Sequence, residues 1–346
     1  MGHKAVSTTE ILREYQFSFH GLALRYRTSS RPLLASVAPW IHQFRQGESV
    51  GDESLSIEFK EVACRAAIPF NKSAMSQLLF SGTKPAMGNS MRTLWQCDIF
   101  RDEGRLVVDV QDQAVLIVDS SRGTAHGYFL RPENMHPDLL ESFFHFVLAE
   151  LLKRKKMFTL HATAMEYHGR GVLIPGYSGC GKTTSLLSLL RSGYRYLSDE
   201  HPILRDSGTH LELLAAPMNI NVTEQTIAMF PELREALPGL LRQGTYKKSF
   251  QMEDLFFGSL GRTCQPAMIL FPHVTDMPHS CLEPLAKSRA LEALLPQSSV
   301  VHDEDQARQE FHALSKLVQQ AACYRLHFGQ DVLDLPQLIS PLLERH

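Results

Sequence analysis

An apolar run of strand type, Val172 to Ile174, enters a glycine-rich turn, and a helix-type run, Ser185 to Arg191, follows at once. The turn, Gly176-Tyr177-Ser178-Gly179-Cys180-Gly181-Lys182-Thr183, fits G-x-x-x-x-G-K-[ST] without a mismatch. Phosphate oxygens need several backbone N–H groups aimed at one point, and glycine alone lets the backbone fold that tightly around them. Gly176, Ser178, Gly179, Cys180, Gly181, Lys182, Thr183 and Thr184 are therefore the expected phosphate cradle. Within it Cys180 matters for its backbone N–H more than for its sulfur. Lys182 adds a mobile positive charge for β- and γ-phosphates, and the Thr183 hydroxyl suits Mg²⁺. A chance glycine-rich loop would need neither the strand before it nor the helix after it. The segment predicts binding of a nucleoside triphosphate.

Other features exclude competing classes. At 346 residues the chain is long enough for two domains, and with 44% hydrophobic residues and 19 Phe it can bury a sizeable core. A net charge of −2 offers no electrostatic footprint for nucleic acid or an anionic membrane. The basic cluster Lys153 to Lys156 suits a helix C-terminus by itself. The first ten residues are polar and lack the apolar core of a signal peptide. The best apolar run, Phe143 to Leu152, is shorter than the ~18 residues of a membrane span. The six cysteines (Cys64, Cys97, Cys180, Cys264, Cys281, Cys323) form no C-x-x-C pair. That speaks against zinc ribbons and disulfide frameworks and for a reducing, cytoplasmic setting.

Along the chain, Tyr15 to Tyr26 reads as one or two strands turning at Gly21, Arg31 to Phe44 as a short helix weakened by Pro39, and Ser54 to Glu61 as a strand. Leu94 to Phe129 holds three strand-type runs, LWQCDIFR, RLVVDVQ and AVLIVDS, as in an antiparallel meander. This half shows no catalytic constellation. Pro137 to Lys156 predicts a helix, with Pro137 and Asp138 in its first turn. It places the domain boundary near residues 131 to 156, with an N-terminal domain over 1–140, a connecting helix over 141–156 and a second domain over 157–346. The FFHFVL stripe at 143–148 reads as core or as packing between domains.

In the second half, strands are expected at Phe158 to Tyr167, Gly171 to Pro175, Tyr194 to Ser198, Ile203 to Arg205, Leu211 to Ala215, Ala267 to Pro272 and Cys323 to His327. Helices are expected from Lys182 to Ser192-Gly193, over Thr223 to Leu241 with breaks at Pro231 and Pro238, and at Ser288 to Leu295, Gln306 to Ala322 and Leu335 to Glu344. Lys248, in a polar loop beginning at Gln243, has two readings, ligand contact or solvation. Arg325 and His327 face either a phosphate or water. Asp303-Glu304-Asp305 suits a helix start, and His273, His279 and His302 lack metal-ligand spacing.

A phosphate-binding loop of this kind needs a carboxylate to hold Mg²⁺ or to activate a nucleophile. Asp199 and Glu200 are the candidates, seventeen residues after Lys182 and on the next strand. The stretch LHATAMEYHGRGVLIPGYSGCGKTTSLLSLLRSGYRYLSDE resembles the catalytic core of HPr kinase/phosphorylase and its HPr-kinase-related relatives. The resemblance covers His161, the loop Gly176 to Thr183, the turn into the acidic pair and Ala215-Ala216-Pro217, about residues 158 to 217. The closing CYRLHFGQDVLDLPQLI is similar to the tail of HPr-kinase-related proteins. Residues 1–140 do not resemble that family's usual N-terminal domain.

The resemblance implies an α/β P-loop domain of HPr-kinase type, preceded by an α+β domain rich in antiparallel strands. It implies ATP (GTP not distinguished) and Mg²⁺, with Lys182 on the β/γ-phosphates and Thr183, Asp199 and Glu200 near the metal. Asp199 would be the general base, with His161 close to it and tuning its charge. The acceptor would be a serine hydroxyl of a protein or peptide. The resemblance is compatible with a homo-oligomer, and the N-terminal domain would bind the acceptor or a partner. A kinase for a small-molecule hydroxyl, or a nucleotide-binding regulatory module, are the alternatives. Two departures bear on activity. Glu200 stands where the bifunctional enzyme has a second Asp. The glutamate of its E-I-R-G signature falls on Gln225, beside Glu224. A kinase without phosphorylase activity is the resulting expectation.

Overall fold

The computed structural model describes residues 12–44, 54–75, 77–85, 94–216, 218–237, 247–298 and 304–345. Pro217, the stretch 238–246, His302 and Asp303, all named above, lie outside the described residues. The chain divides into two compact units, one ending at Leu151 and the other beginning at Leu152. Both mix helices with a large sheet.

The first unit is built on eight strands: β1 (Arg13–Phe19), β2 (Leu22–Thr28), β3 (Ser54–Val62), β4 (Gln77–Pro85), β5 (Leu94–Asp102), β6 (Arg105–Val110), β7 (Ala114–Asp119) and β8 (Thr124–Leu130). Their order is β1-β2-β3-β8-β7-β6-β5-β4. The β2–β3 and β3–β8 pairs are parallel and the others antiparallel. The expected helix over Arg31 to Phe44 is two short ones, α1 (Arg31–Ala35) and α2 (Ala38–Phe44). Pro39 lies in the first turn of α2, where its missing N–H costs no hydrogen bond.

Helix α3 (Pro137–Lys153) carries Asp138 in its first turn and Lys153 in its last, both favourable to the helix dipole. Its aromatic stripe is core of this unit. Phe143 meets Trp95 edge-on at 5.3 Å and Phe129 at 5.7 Å, and Phe144 meets Trp40 at 5.8 Å and Tyr26 at 6.0 Å. Strand β8 escapes the sequence reading because Gly127 interrupts it, and glycine weakens a strand pattern. The glycine is needed there: a Cβ would lie 2.7 Å from both the Phe59 and Phe129 rings.

In the second unit the strands are β9 (Met157–Thr159), β10 (Ala162–Tyr167), β11 (Arg170–Pro175), β12 (Arg195–Glu200), β13 (Ile203–Asp206), β14 (Leu211–Leu214), β15 (Ile220–Val222), β16 (Lys248–Phe250), β17 (Thr263–Val274), β18 (Cys281–Pro284) and β19 (Ala322–Phe328). The helices are α4 (Lys182–Leu190), α5 (Glu224–Met229), α6 (Pro231–Ala236), α7 (Met252–Leu255), α8 (Lys287–Leu294), α9 (Glu304–Gln320) and α10 (Leu335–Arg345). The large sheet runs β12-β10-β11-β17, after which β17 pairs β14 through its start and β19 through its end.

Alternate residues of these strands feed two cores. Val172, Ile174, Met268 and Leu270 join Leu186, Leu190, Ile227, Leu233 and Ile339 of α4, α5, α6 and α10. Leu173 and Ile269 join Ala290, Leu294, Leu314 and Leu317 of α8 and α9. Burial on both faces explains why these strands read as continuous apolar runs rather than alternating ones. Strand β10 is antiparallel to both β11 and β12, so the C-terminal ends of β11 and β12 emerge on the same edge. Ala162 pairs with Pro175 on one side and Glu200 on the other. Two strand spacings, ~10 Å, therefore separate the start of the glycine-rich loop from the acidic pair.

Candidate functional site

The loop leaves β11 at Pro175 and enters α4 at Lys182. Gly176, Gly179 and Gly181 have φ of 156°, 87° and 99°, values that side chains disfavour. A Cβ on Gly176 would also stand 2.6 Å from the Cys180 sulfur. The first i→i−4 hydrogen bond of α4 runs from Ser185 N to Gly181 O at 2.9 Å. The amides of Thr183 and Thr184 precede it, at the positive end of the helix dipole. Lys182 is buried, donates to Gly176 O at 2.6 Å and has its Nζ 3.5 Å from His161 Nε2. Tyr177, Ser178 and Gly179 are exposed at the rim.

Asp199 is buried, and both its carboxylate oxygens accept hydroxyl protons: Oδ1 from Thr163 and Oδ2 from Thr183 at 2.9 Å. Its backbone N–H donates to the Tyr196 hydroxyl at 3.0 Å, which itself donates to Met218 O at 3.2 Å. Burial pushes the Asp199 carboxyl up from its ordinary range, and the neighbouring Glu200 charge adds to the push. Glu200 has φ of 118°, a rare value for a side-chain-bearing residue at the end of a strand. Burial acts to raise Glu200 too. The His161 hydrogen bond and the charge of Lys182 outweigh it and bring Glu200 down to about 2. The two adjacent carboxyls are thus driven apart in opposite directions.

His161 reaches the acidic pair through its second member. Its Nε2 lies 3.1 Å from Glu200 Oε2, so the carboxylate it touches is Glu200, the chain neighbour of Asp199, to which the resemblance places it close. On the other side its Nδ1 lies 3.2 Å from Gln297 Oε1, and its N–H donates to Gln297 O at 2.7 Å. The fold thus gathers His161, Lys182, Thr183, Asp199 and Glu200 at one edge of the sheet. Three further candidates are engaged elsewhere. Lys248 donates to Leu237 O at 2.7 Å, and His327 and Arg325 both reach Glu283, at 2.9 and 3.9 Å. Glu224 and Gln225 are both exposed in the first turn of α5.

Thr163 and Gln297 carry no sequence signal of their own. Thr163 is one hydroxyl in an apolar strand, and Gln297 is 136 residues from the histidine it touches. Among the described residues no group of three or more His, Cys, Asp or Glu side chains has metal-site geometry. The donors at hand, the Thr183 hydroxyl and the carboxylates of Asp199 and Glu200, are hard oxygens. They fit Mg²⁺ completed by phosphate and water oxygens, and do not suit a soft metal. The arrangement offers backbone amides and an ammonium for an anion, beside two carboxylates of unequal basicity.

No family model matches the chain. A stretch of 61 residues is 36% identical to the HPr kinase/phosphorylase of Exiguobacterium sp. strain AT1b, covering 18% of this chain and 20% of that protein. The chain thus aligns with about a fifth of the length of that relative. Among solved structures, the Hpr(Ser) kinase/phosphatase from Coxiella burnetii aligns over 54% of this chain and 95% of its own, at 14% identity and a TM-score of 0.30. That overlap is too loose to bear on the fold. Among the described residues no helix is long and apolar enough to cross a membrane.

Proposed function

We propose that the chain is an ATP-dependent phosphotransferase with a P-loop domain of HPr-kinase type, acting on a serine hydroxyl of a protein or peptide in the cytoplasm. One observation carries the reading: Ala162 pairs with Pro175 and Glu200 at once, which brings the glycine-rich loop and the acidic pair to the same sheet edge. The local identity to an HPr kinase/phosphorylase supports it at the level of a kinase-like core.

In this reading the amides of Gly176 to Thr184 hold the phosphates and Lys182 leaves Gly176 O for the β/γ-phosphate oxygens. Thr183, Asp199 and Glu200 would hold Mg²⁺, which supplies neutralising charge to the phosphate oxygens when bound. Asp199 takes the proton of the acceptor hydroxyl. Its raised basicity suits a general base, and the depressed Glu200 suits a permanent anion. His161 braces Glu200. The absence of E-I-R-G, with Glu224 and Gln225 both exposed, favours a kinase without phosphorylase activity. The first unit is proposed to bind the acceptor protein.

The test is transfer of ³²P from the γ-position of ATP, with Mg²⁺, into a lysate of the source cell, using wild type and Asp199→Asn. A protein labelled by wild type alone is expected and identifies the acceptor. Labelling of a metabolite pool instead would redirect the reading to a small-molecule kinase. Tight nucleotide binding without transfer to either would leave a regulatory module.

A further inference from the structure

Helix α8 is anchored in the core by Ala290 and Leu294, and a tight turn over Leu295–Gln297 leads from it to Ser298, which bridges to Leu160. The chain is thereby laid against the residue before His161. Gln297 is buried and meets His161 twice. Its carbonyl oxygen accepts the His161 N–H at 2.7 Å, and its side-chain Oε1 stands 3.2 Å from Nδ1. The main-chain contact sets where the histidine backbone sits. The side-chain contact selects the ring orientation, because a buried amide oxygen is satisfied only by an N–H and not by a ring carbon. With Nδ1 so held, Nε2 is the nitrogen that faces Glu200 at 3.1 Å and Lys182 at 3.5 Å. Glu200 in turn sits on a left-handed backbone, φ 118°, which persists only where surrounding contacts hold it.

From this geometry we infer that Gln297 is a positioning residue for phosphotransfer. By fixing the His161 ring with Nδ1 inward and Nε2 toward Glu200, it holds the Glu200 carboxylate in place beside Asp199. The inference rests on the proposed phosphotransfer site. Gln297 touches neither nucleotide nor acceptor in this reading; it acts through His161.

Two variants test it. Gln297→Leu removes the acceptor at similar volume, and Gln297→Glu keeps an acceptor oxygen. Nitrogen-15 ring spectra of the full chain without nucleotide, with His161 assigned by its loss in His161→Phe, are expected to show protons on both Nδ1 and Nε2 in wild type and Gln297→Glu, because the Gln297 oxygen and the Glu200 carboxylate are both acceptors. Gln297→Leu loses that signature. In ATP-dependent transfer, Gln297→Leu lowers kcat about tenfold with KM for ATP unchanged, as loss of an outer support for a site residue does, and Gln297→Glu recovers most of it. A Gln297→Leu protein with the wild-type ring signature overturns the inference, as does a loss confined to thermal stability or to KM. The ring spectrum needs no turnover, so a wild type inactive in transfer would sink the kinase reading while the spectrum still decides on Gln297.

Discussion

Asp199, a buried carboxylate of the second unit, is handled differently from two buried carboxylates of the first. In the first, Glu58 is met by Arg27 at 3.1 Å and by Lys60, and Asp109 by Arg65 at 2.5 Å, itself lying over the Phe70 ring at 5.2 Å. Each anion is met by at least one cation whose long side chain reaches out to solvent. In the second, the direct side-chain partners of Asp199 are two hydroxyls, and its chain neighbour is another carboxylate. Hydroxyls satisfy lone pairs without cancelling charge, so Asp199 feels the Lys182 charge nearby but has no cation hydrogen-bonded to it among the described residues. Charge that is balanced within the protein holds a fold together. Charge left unbalanced at a sheet edge, next to a phosphate-type loop, is suited to recruiting something from outside.

The largest effect should come from Lys182→Ala. It removes the ammonium that closes the loop on Gly176 and is proposed to serve the phosphates, and should cost about a hundredfold to a thousandfold in phosphotransfer, with nucleotide binding lost in a titration. If that variant binds ATP as wild type does, the loop is not a phosphate site and the contrast between the units loses its meaning.

Next is Asp199→Asn. It should reduce transfer about a hundredfold while leaving nucleotide binding intact, and raise the stability of the metal-free protein by about 1 kcal/mol, since a buried charge with no ion pair of its own is removed. Asp109→Asn should do the reverse. It should cost about 1 to 2 kcal/mol in a denaturant melt, through the lost Arg65 pair, with transfer unchanged. Two variants shifting stability the same way would break the comparison.

The smallest effect is the pH dependence. Asp199 titrates above its ordinary 3.8 in the folded protein, so the folded state keeps its proton after the unfolded chain has lost it. Its contribution is therefore fully favourable below pH 3.8 and is lost as pH rises through the folded value. The stability gain of Asp199→Asn, measured by melts between pH 4 and 8, should shrink toward the acid end. A gain that grows toward acid would mean that Asp199 is not raised.

The strand, the loop and the helix from Val172 to Leu190 were legible because their rules are local: a short apolar run, glycines where φ is positive, and a lysine and threonine at a helix start. The acidic pair was legible by its closeness to the loop in sequence. Strands β4 and β8 were not. β8 hides behind Gly127, whose reason is the Phe59 ring on a neighbouring strand.

The sequence by itself determined that a phosphate-type loop lies between a strand and a helix, and which acids stand nearest to it. Only the tertiary structure decided that His161 partners Glu200, that Thr163 and Thr183 share Asp199, and that Gln297 backs the histidine. The physical reason is that hydrogen bonds across a sheet edge depend on register and backbone twist, and residues 36 or 136 positions apart leave no pattern in the chain that joins them.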